Sequence, residues 1–524
     1  MLARAHTFTI DGLRTRHVTV EVDVRRGLPA FAIVGLVDTA VREARERITA
    51  AILNSGYEFP ARRITANLAP GDVRKAGPGL DLAIACAVLA ASGQLPSEQL
   101  DRVALFGELA LDGTVRPARG ALAVAHAAQR AGMDGIALAG ASAHEARLID
   151  GLRVSVVEHL RSTVRVCSGG PGDPLPAPPA RAVASEGGRV RGGRSGELAG
   201  ADVLAGADLG DVRGQEHAVR AIVIAAAGAH NVLLSGPPGT GKTMLAQRIA
   251  SILPPLSSAE AVEVTRIRSL IGERSDVLAA SRPFRAPHHS ITAAGLVGGA
   301  RRGSVGEVVR AHHGVLFLDE LSEFARSKLE ALRQPLEEGR VAIARAGHSA
   351  SYPARFMLLA ATNPCPCGYA GDGDRCDCGE AELARHRRRL SGPLLDRIDL
   401  LSNLQREPTH DLRARAFTSS ARARERVLSA RARQAARLSS DGVSVNAHMD
   451  ERMLGRHVRL DAHGQEMLRA ACERGLLSAR GEHRVLRVAR TIADLDGRER
   501  VAARDVGGAL AMRPEPAFVG NRAA

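Results

Sequence analysis

The chain has 524 residues, 45% apolar and 24% charged, with a formal net charge of +14. That length supports about three or four domains with apolar cores of their own. With only 2% aromatic residues and no Trp, base stacking on aromatic platforms is not its recognition device. No stretch approaches the roughly 20 apolar residues of a membrane span, which argues against a transmembrane role. The positive charge fits a polyanionic partner. It fits equally a chain-wide replacement of lysine by arginine, since lysine occurs only at Lys75, Lys242 and Lys328. Met1 to Gly12 lacks a secretory h-region, so the expected compartment is cytoplasmic and reducing. There the seven cysteines read as thiols or metal ligands, not disulfides.

Residues 1–167 alternate strand and helix signals. His17 to Val24 has period-two alternation, Val41 to Asn54 is amphipathic at helical spacing, and Arg63 to Leu68 reads as a further strand. Leu80 to Ala91 is an apolar helix behind a Gly-Pro-Gly turn, in an α+β or α/β domain with no phosphate loop of its own. Two stretches, Lys75 to Asp81 and Gly107 to Val115 with Pro117 to Ala123, resemble the proteolytic domain of Lon proteases. The resemblance puts the family's nucleophilic Ser at Gly79 and its activating Lys at Leu122. Neither a hydroxyl nor an amine is available there, so no Ser–Lys dyad can be built and no protease substrate is expected. The domain reads as a scaffold or oligomerisation module. Residues 168–205 are rich in Gly, Pro and Arg without hydrophobic periodicity and read as a flexible, solvated tether.

Residues 206–405 carry the chemistry. Asn231 to Thr243 reads N-V-L-L-S-G-P-P-G-T-G-K-T: a buried strand, a glycine turn, then helical spacing from Met244. In that context G-x-x-x-x-G-K-[ST] marks a nucleotide site. Gly236, Pro237, Pro238, Gly239, Thr240 and Gly241 form a loop whose N–H groups face the phosphates, and the helix N-terminus adds its positive end. Lys242 would reach the β- and γ-phosphates, and the Thr243 hydroxyl would hold Mg²⁺. Val315 to Leu318 reads as a second buried strand, ending in Asp319 and Glu320. Asp319 would hold Mg²⁺ through water, and Glu320 would orient or deprotonate the attacking water. Glu338 to Ala350 suggests a hairpin, and Met357 to Asn363 a third apolar strand ending in Thr-Asn. Beyond it, Cys365, Cys367, Cys376 and Cys378 could surround a structural Zn²⁺, with reduced thiols as the alternative. His288 and His289 read as loop-packing residues.

P-loop, acidic strand end, Thr362-Asn363 and Leu394-Leu395-Asp396-Arg397, in this order, resemble AAA+ proteins of the magnesium-chelatase-like group. The implied fold is α/β: a P-loop AAA+ core with a parallel sheet, preceded by the Lon-protease-like α+β domain and followed by a helical lid at 406–512 and a disordered tail at 513–524. The resemblance implies base contacts at Val212 and Gln215, a γ-phosphate sensor at Asn363 and an arginine finger at Arg397 reaching a neighbouring subunit. It also implies a lid arginine at Arg480, with Arg484 as the alternative. Within that group, the Lon-like domain, Arg282 to Ser290 and Asn363 to Gly368 resemble the bacterial YifB/ComM family. Members are implicated in hexameric, ATP-driven DNA branch migration during natural transformation, which implies ATP and Mg²⁺ as cofactors, DNA as partner and a ring of copies. Arg301, Arg340 and Arg345 would then line a pore and contact phosphates. The alternatives are a magnesium-chelatase-type motor or a protein-remodelling ATPase acting on a partner protein. The arginine-rich stretch from Arg413 to Arg437 reads as a solvated helix or a nucleic-acid face.

Overall fold

The computed structural model describes residues 1–513 except 76, 177–206, 274, 300–304, 346–347, 371–374, 391 and 407–415. At its N-terminal end, β1 (Leu2–Asp11) and β2 (Arg14–Arg25) form a long antiparallel hairpin. With β3 (Ala30–Val34), β4 (Arg63–Ala69) and β5 (Val103–Phe106) they begin a mixed sheet. A small ribbon, β6 (Glu108–Leu109) and β7 (Val115–Arg116), stands apart from it, and β8 (Gly135–Leu138) and β9 (Arg153–Val156) complete the order β3-β4-β2-β1-β5-β8-β9. The alternation read at His17 to Val24 is literal, since Val18, Val20, Val22 and Val24 are all buried. Helix Asp81–Ala91 is buried on every side, which is why its sequence is apolar all round.

Both positions of the absent dyad are closed by packing. A Cβ on Gly79 would lie 2.4 Å from Phe106 Cε2, and Leu122 is fully buried. Residues 168–176 depart from the tether expected there. Asp173 accepts the Glu158 N–H at 2.8 Å and pairs with Arg165 at 2.6 Å, so this segment folds back onto the first unit. Residues 177–205 and 514–524 lie outside the described residues.

The second sheet is parallel throughout. Its strands β10 (Val232–Ser235), β11 (Phe284–Arg285), β12 (Val315–Leu318), β15 (Met357–Thr362) and β16 (Leu400–Asn403) run in the order β11-β12-β15-β10-β16. The numbers between belong to an antiparallel hairpin, β13 (Arg340–Arg345) and β14 (His348–Pro353), where a hairpin was expected. Every residue of β10, β12 and β15 is buried, as strands covered on both faces require. Leu234, Phe317 and Leu359 face one core with helices Glu216–Gly228 and Lys242–Ile252 and the C-terminal helices. Leu233, Leu316 and Leu358 face the other, which Val341, Ala350 and Tyr352 of the hairpin share.

The two sheets are docked. The Arg266 guanidinium donates to Leu13 O, Ser269 Oγ to Glu145 at 2.6 Å, and Gly12 packs beneath Ser351 and Tyr352 of β14. The C-terminal helix Ser420–Leu438 is less solvated than its arginines suggest. Arg431 donates twice to Ala226 O, and Arg437 grips Asp494 through two bonds of 2.7 and 2.8 Å. Helix Ala479–Leu495 starts at the expected N-cap, Ser478. No helix among the described residues is long and apolar enough to cross a membrane.

His312, 1% exposed just before β12, ties the sheet to its surroundings. Its Nδ1 accepts the Arg355 N–H at 3.0 Å, so the proton sits on Nε2, which donates to Glu263 at 3.0 Å. Burial pushes its pKa below 6.5, with Glu263 pulling the other way. A depressed histidine contributes its stability in full above pH 6.5 and loses it as pH falls through the folded pKa. Urea midpoints should therefore drop between pH 7.5 and pH 5, and by less in His312→Asn; an identical drop in both would remove His312 from the cause.

Candidate nucleotide site

The site forms because β10, β12 and β15 end together. Ser235 pairs with Thr362 and Leu318 with Ala360, so the segments leaving all three strands meet at one edge. Gly239 and Gly241 of the loop after β10 take left-handed φ of 79° and 85°. Gly236 has no room for a side chain, because a Cβ would lie 2.5 Å from Leu404 O. Helix Lys242–Ile252 opens at Gly241 with no side-chain cap, leaving its first N–H groups for an anion.

Lys242 is folded into this loop. Its Nζ donates to Gly236 O at 2.6 Å, Pro237 O at 2.9 Å and Asn363 Oδ1 at 3.2 Å. Burial lowers its pKa, and Asp319 and Glu320 act in the opposite direction. The Thr243 hydroxyl donates to Asp319 Oδ2 at 2.7 Å, and Asp319 Oδ1 accepts the Glu320 N–H at 2.9 Å. Glu320 itself sits at φ 51°, a left-handed conformation that costs a non-glycine residue energy and turns its side chain into the open. Lys242, Thr243, Asp319, Glu320 and Asn363 are thus brought together, with Met244 partly exposed on the first turn of the helix.

Three family descriptions match the chain. "Magnesium chelatase, subunit ChlI" covers residues 208–412, "Subunit ChlI of Mg-chelatase" residues 20–142, and "Magnesium chelatase, subunit ChlI C-terminal" residues 417–513. An uncharacterized protein of Mycobacterium tuberculosis is 42% identical over 522 residues, 98% of both chains. The uncharacterized protein YifB of Escherichia coli is 40% identical over 519 residues, 98% of this chain and 97% of its own. The competence protein ComM of Haemophilus influenzae is 39% identical over 506 residues, 96% and 95% respectively. The chain belongs to the magnesium-chelatase-like YifB/ComM family. Its mixed α/β architecture with a parallel sheet agrees with an AAA+ fold, and membership of this AAA+ family implies ATP and Mg²⁺.

Other expected residues of this YifB/ComM chain fall less simply. Gln215, at φ 54°, bonds Gln405 O, and the adjoining Leu404 N–H donates to Ser235 O at 2.7 Å, so Gln215 approaches the loop from the β16 side. Val212, at 2% exposure, is packed into the core. Arg397 and Arg480 lie at the opposite edge, where the parallel strands begin. Asn231, one residue before β10, donates through Nδ2 to Arg397 O at 2.9 Å. Arg397, Arg480 and Arg484 line a cleft of about 840 Å³ together with Asn231, Gly314 and Met357, all at strand starts. Arg480 is therefore separated from its own Lys242 by the length of the sheet, as Arg397 is. Arg340 is exposed at the root of the hairpin and Arg345 closes β13, while Arg301 lies outside the described residues. Gly299 packs within reach of Ile343, so the chain just before Arg301 adjoins the hairpin.

The cysteines converge. Sγ of Cys365 lies 3.2 Å from that of Cys367 and 3.7 Å from that of Cys376, and one ligand atom from each of the four, Cys378 included, lies within 4.8 Å of the others. Four thiolates so placed fit a tetrahedral ion with Zn–S near 2.3 Å. Glu263, His312 and His313 also cluster at metal spacing, but the Arg355 N–H on His312 Nδ1 keeps the proton on Nε2 and denies an ion that lone pair.

His289 packs in its loop against His288 and Phe324, as expected, and has a second neighbour that the sequence did not show. His289 Nδ1 lies 3.4 Å from Glu320 Oε2, its carbonyl fixed by Lys328 Nζ at 2.9 Å. Its only signal was position, just past a two-residue strand that pairs with β12. Glu320→Gln should keep affinity for a fluorescent ATP analogue while turnover falls by about 10²- to 10⁴-fold, the usual share of a general base. Lys242→Ala should lose the binding itself. Unchanged turnover in Glu320→Gln would remove Glu320 as the base.

Proposed function

We propose that the chain is a ring-forming ATPase that couples ATP hydrolysis to movement on DNA, with helicase or branch-migration activity in recombination or natural transformation. The observation that carries this reading is the division of charged groups between the two edges of one sheet. Lys242, Thr243, Asp319, Glu320 and Asn363 stand at the strand ends, and Arg397 and Arg480 at the strand starts. A cis arrangement cannot bring them to one phosphate, whereas a ring of copies sets the second edge of one subunit against the first edge of the next.

In that assembly the loop N–H groups of 236–243 cradle the triphosphate, and Lys242 exchanges its carbonyl partners for phosphate oxygens. Thr243 and Asp319 would hold Mg²⁺, which would supply neutralisation of phosphate charge. Glu320 takes the proton of the attacking water, and Asn363 orients that water. The neighbour's Arg397, with Arg480 beside it, stabilises the charge that develops on the leaving phosphate. The hairpin β13–β14 presents Arg340 to the DNA backbone, and Arg345 belongs to the same strand; contacts of this kind are indifferent to sequence and weaken with salt. The N-terminal unit acts as a Lon-like scaffold, the helices from 416 to 512 as the lid, and the four cysteines as a structural zinc knuckle behind Asn363. A relative named a competence protein supports the DNA reading. The magnesium-chelatase descriptions support a second one, a motor acting on a partner protein.

Turnover measured with and without single-stranded, duplex and forked DNA separates the two. Stimulation by DNA, reduced in Arg340→Ala and with a shallower salt dependence, is expected. Turnover indifferent to every DNA would favour the partner-protein motor. Metal analysis of the purified chain should find zinc stoichiometric with protein and lost in Cys376→Ser. A zinc-free wild type, folded and active, would leave the cysteines as plain thiols.

A further inference from the structure

Arg397 is held by its own chain. Its Nη2 donates to Glu337 Oε1, and only 11% of the arginine side chain is exposed, against 53% for the glutamate. Asp396 and Asp399, beside it in sequence, have partners of their own. Asp399 accepts the Asn231 N–H at 3.0 Å and faces His230 at 3.6 Å, and Asp396 lies 3.9 Å from Arg484. A guanidinium folded onto a carboxylate is both retracted and neutralised, and cannot serve a phosphate on another subunit.

Glu337 belongs to a different element from Arg397. It lies in the last turn of helix Arg333–Glu338, which ends at Gly339 with φ 63°, and β13 begins at the next residue. The junction is tight: a Cβ on Gly339 would lie 2.8 Å from Arg355 Cγ, and the Ala354 N–H donates to Gly339 O at 2.8 Å. The end of this helix and both roots of the hairpin therefore form one body, with Glu337 projecting from it.

We propose that Glu337 is a latch on Arg397, released when the β13–β14 hairpin is displaced. While the hairpin rests, the carboxylate keeps Arg397 out of the adjoining site; when the hairpin engages its polymer and shifts, Glu337 moves with it and the arginine extends. Hairpin position then gates hydrolysis next door. The proposal rests on the reading of Arg397 as the residue that acts in trans, and Glu337 is a positioning residue in it.

The test is steady-state ATP turnover by the full chain as wild type, Glu337→Gln, Arg397→Ala and the double variant, without DNA and with forked DNA. Glutamine keeps the shape and loses the charge. A partly exposed ion pair shifts a population by about two- to fivefold, so basal kcat should rise by that factor with KM for ATP unchanged. Stimulation by forked DNA should shrink correspondingly, and the double variant should match Arg397→Ala. A Glu337→Gln protein with unaltered or lower basal kcat, beside an inactive Arg397→Ala, overturns the latch and leaves the trans arginine standing. Wild-type turnover in Arg397→Ala overturns both. A drop in Tm and kcat together in Glu337→Gln would make the glutamate structural and end the proposal.

Discussion

Lys242 meets Asn363, and Thr243 meets Asp319, because three parallel strands end within two residues of one another at one edge. The bonds Lys242–Asn363 and Thr243–Asp319 join segments more than 70 residues apart, and both depend on the pairing of Ser235 with Thr362 and Leu318 with Ala360. A slip of one residue in either pairing would turn buried side chains to the wrong face and draw one partner away from the loop. Unbroken burial of β10, β12 and β15 makes such a slip costly, so the apolar strands themselves set the geometry of the polar site. The remaining parts hang from that edge. Gly236 can press against Leu404 only because β16 lies beside β10, and the cysteine loop follows Asn363 by two residues.

Much of this was legible in the sequence because it is written locally. The P-loop, the two acidic residues after Leu318 and the Thr-Asn after Ala361 each sit at the end of an unbroken apolar run, and such runs identify themselves. The N-cap at Ser478 and the hairpin after Gly339 are local in the same sense. What the sequence concealed depends on contacts between distant segments. His289 faces Glu320 only because Phe284 and Arg285 pair with β12, and a two-residue strand leaves no periodic trace. Residues 168–176 have tether composition, yet Asp173 finds Arg165 and the Glu158 N–H within its own unit.

The arginines show the same limit. Composition offered two accounts of the positive charge, a polyanionic partner or arginine in place of lysine, and the structure supplies a third use. Arg282 is bonded to Glu260, Arg285 to Glu307, Arg437 to Asp494 and Arg498 to Asp505. Each of these is a planar fork on a carboxylate between elements that must hold their relative position, a task for which guanidinium is better shaped than ammonium. The number of arginines therefore overstates the cations free to meet a polyanion, and exposed arginines such as Arg340 carry that argument instead.

The placement of Arg397 follows from the same economy of strands. A four-residue strand spans about 13 Å, so groups at its two ends cannot share a ligand of phosphate size. A chain built on such a sheet has Lys242, Asp319 and Glu320 on one edge and Arg397 and Arg480 on the other. Left extended, such cations would attract any anion in solution; on the proposed reading, Arg397 folded onto Glu337 would stay quiet until the carboxylate moved. The element that carries Glu337 also carries the hairpin, whose return strand lies over Gly12 of the first unit and whose outgoing strand lies beside Gly299. On the proposed reading a displacement of the hairpin would be felt in three places: the neighbouring phosphate through Arg397, the N-terminal unit through the β1–β2 turn, and Gly299 through Ile343. On this architecture the hairpin is where mechanical and chemical events of the ring would meet.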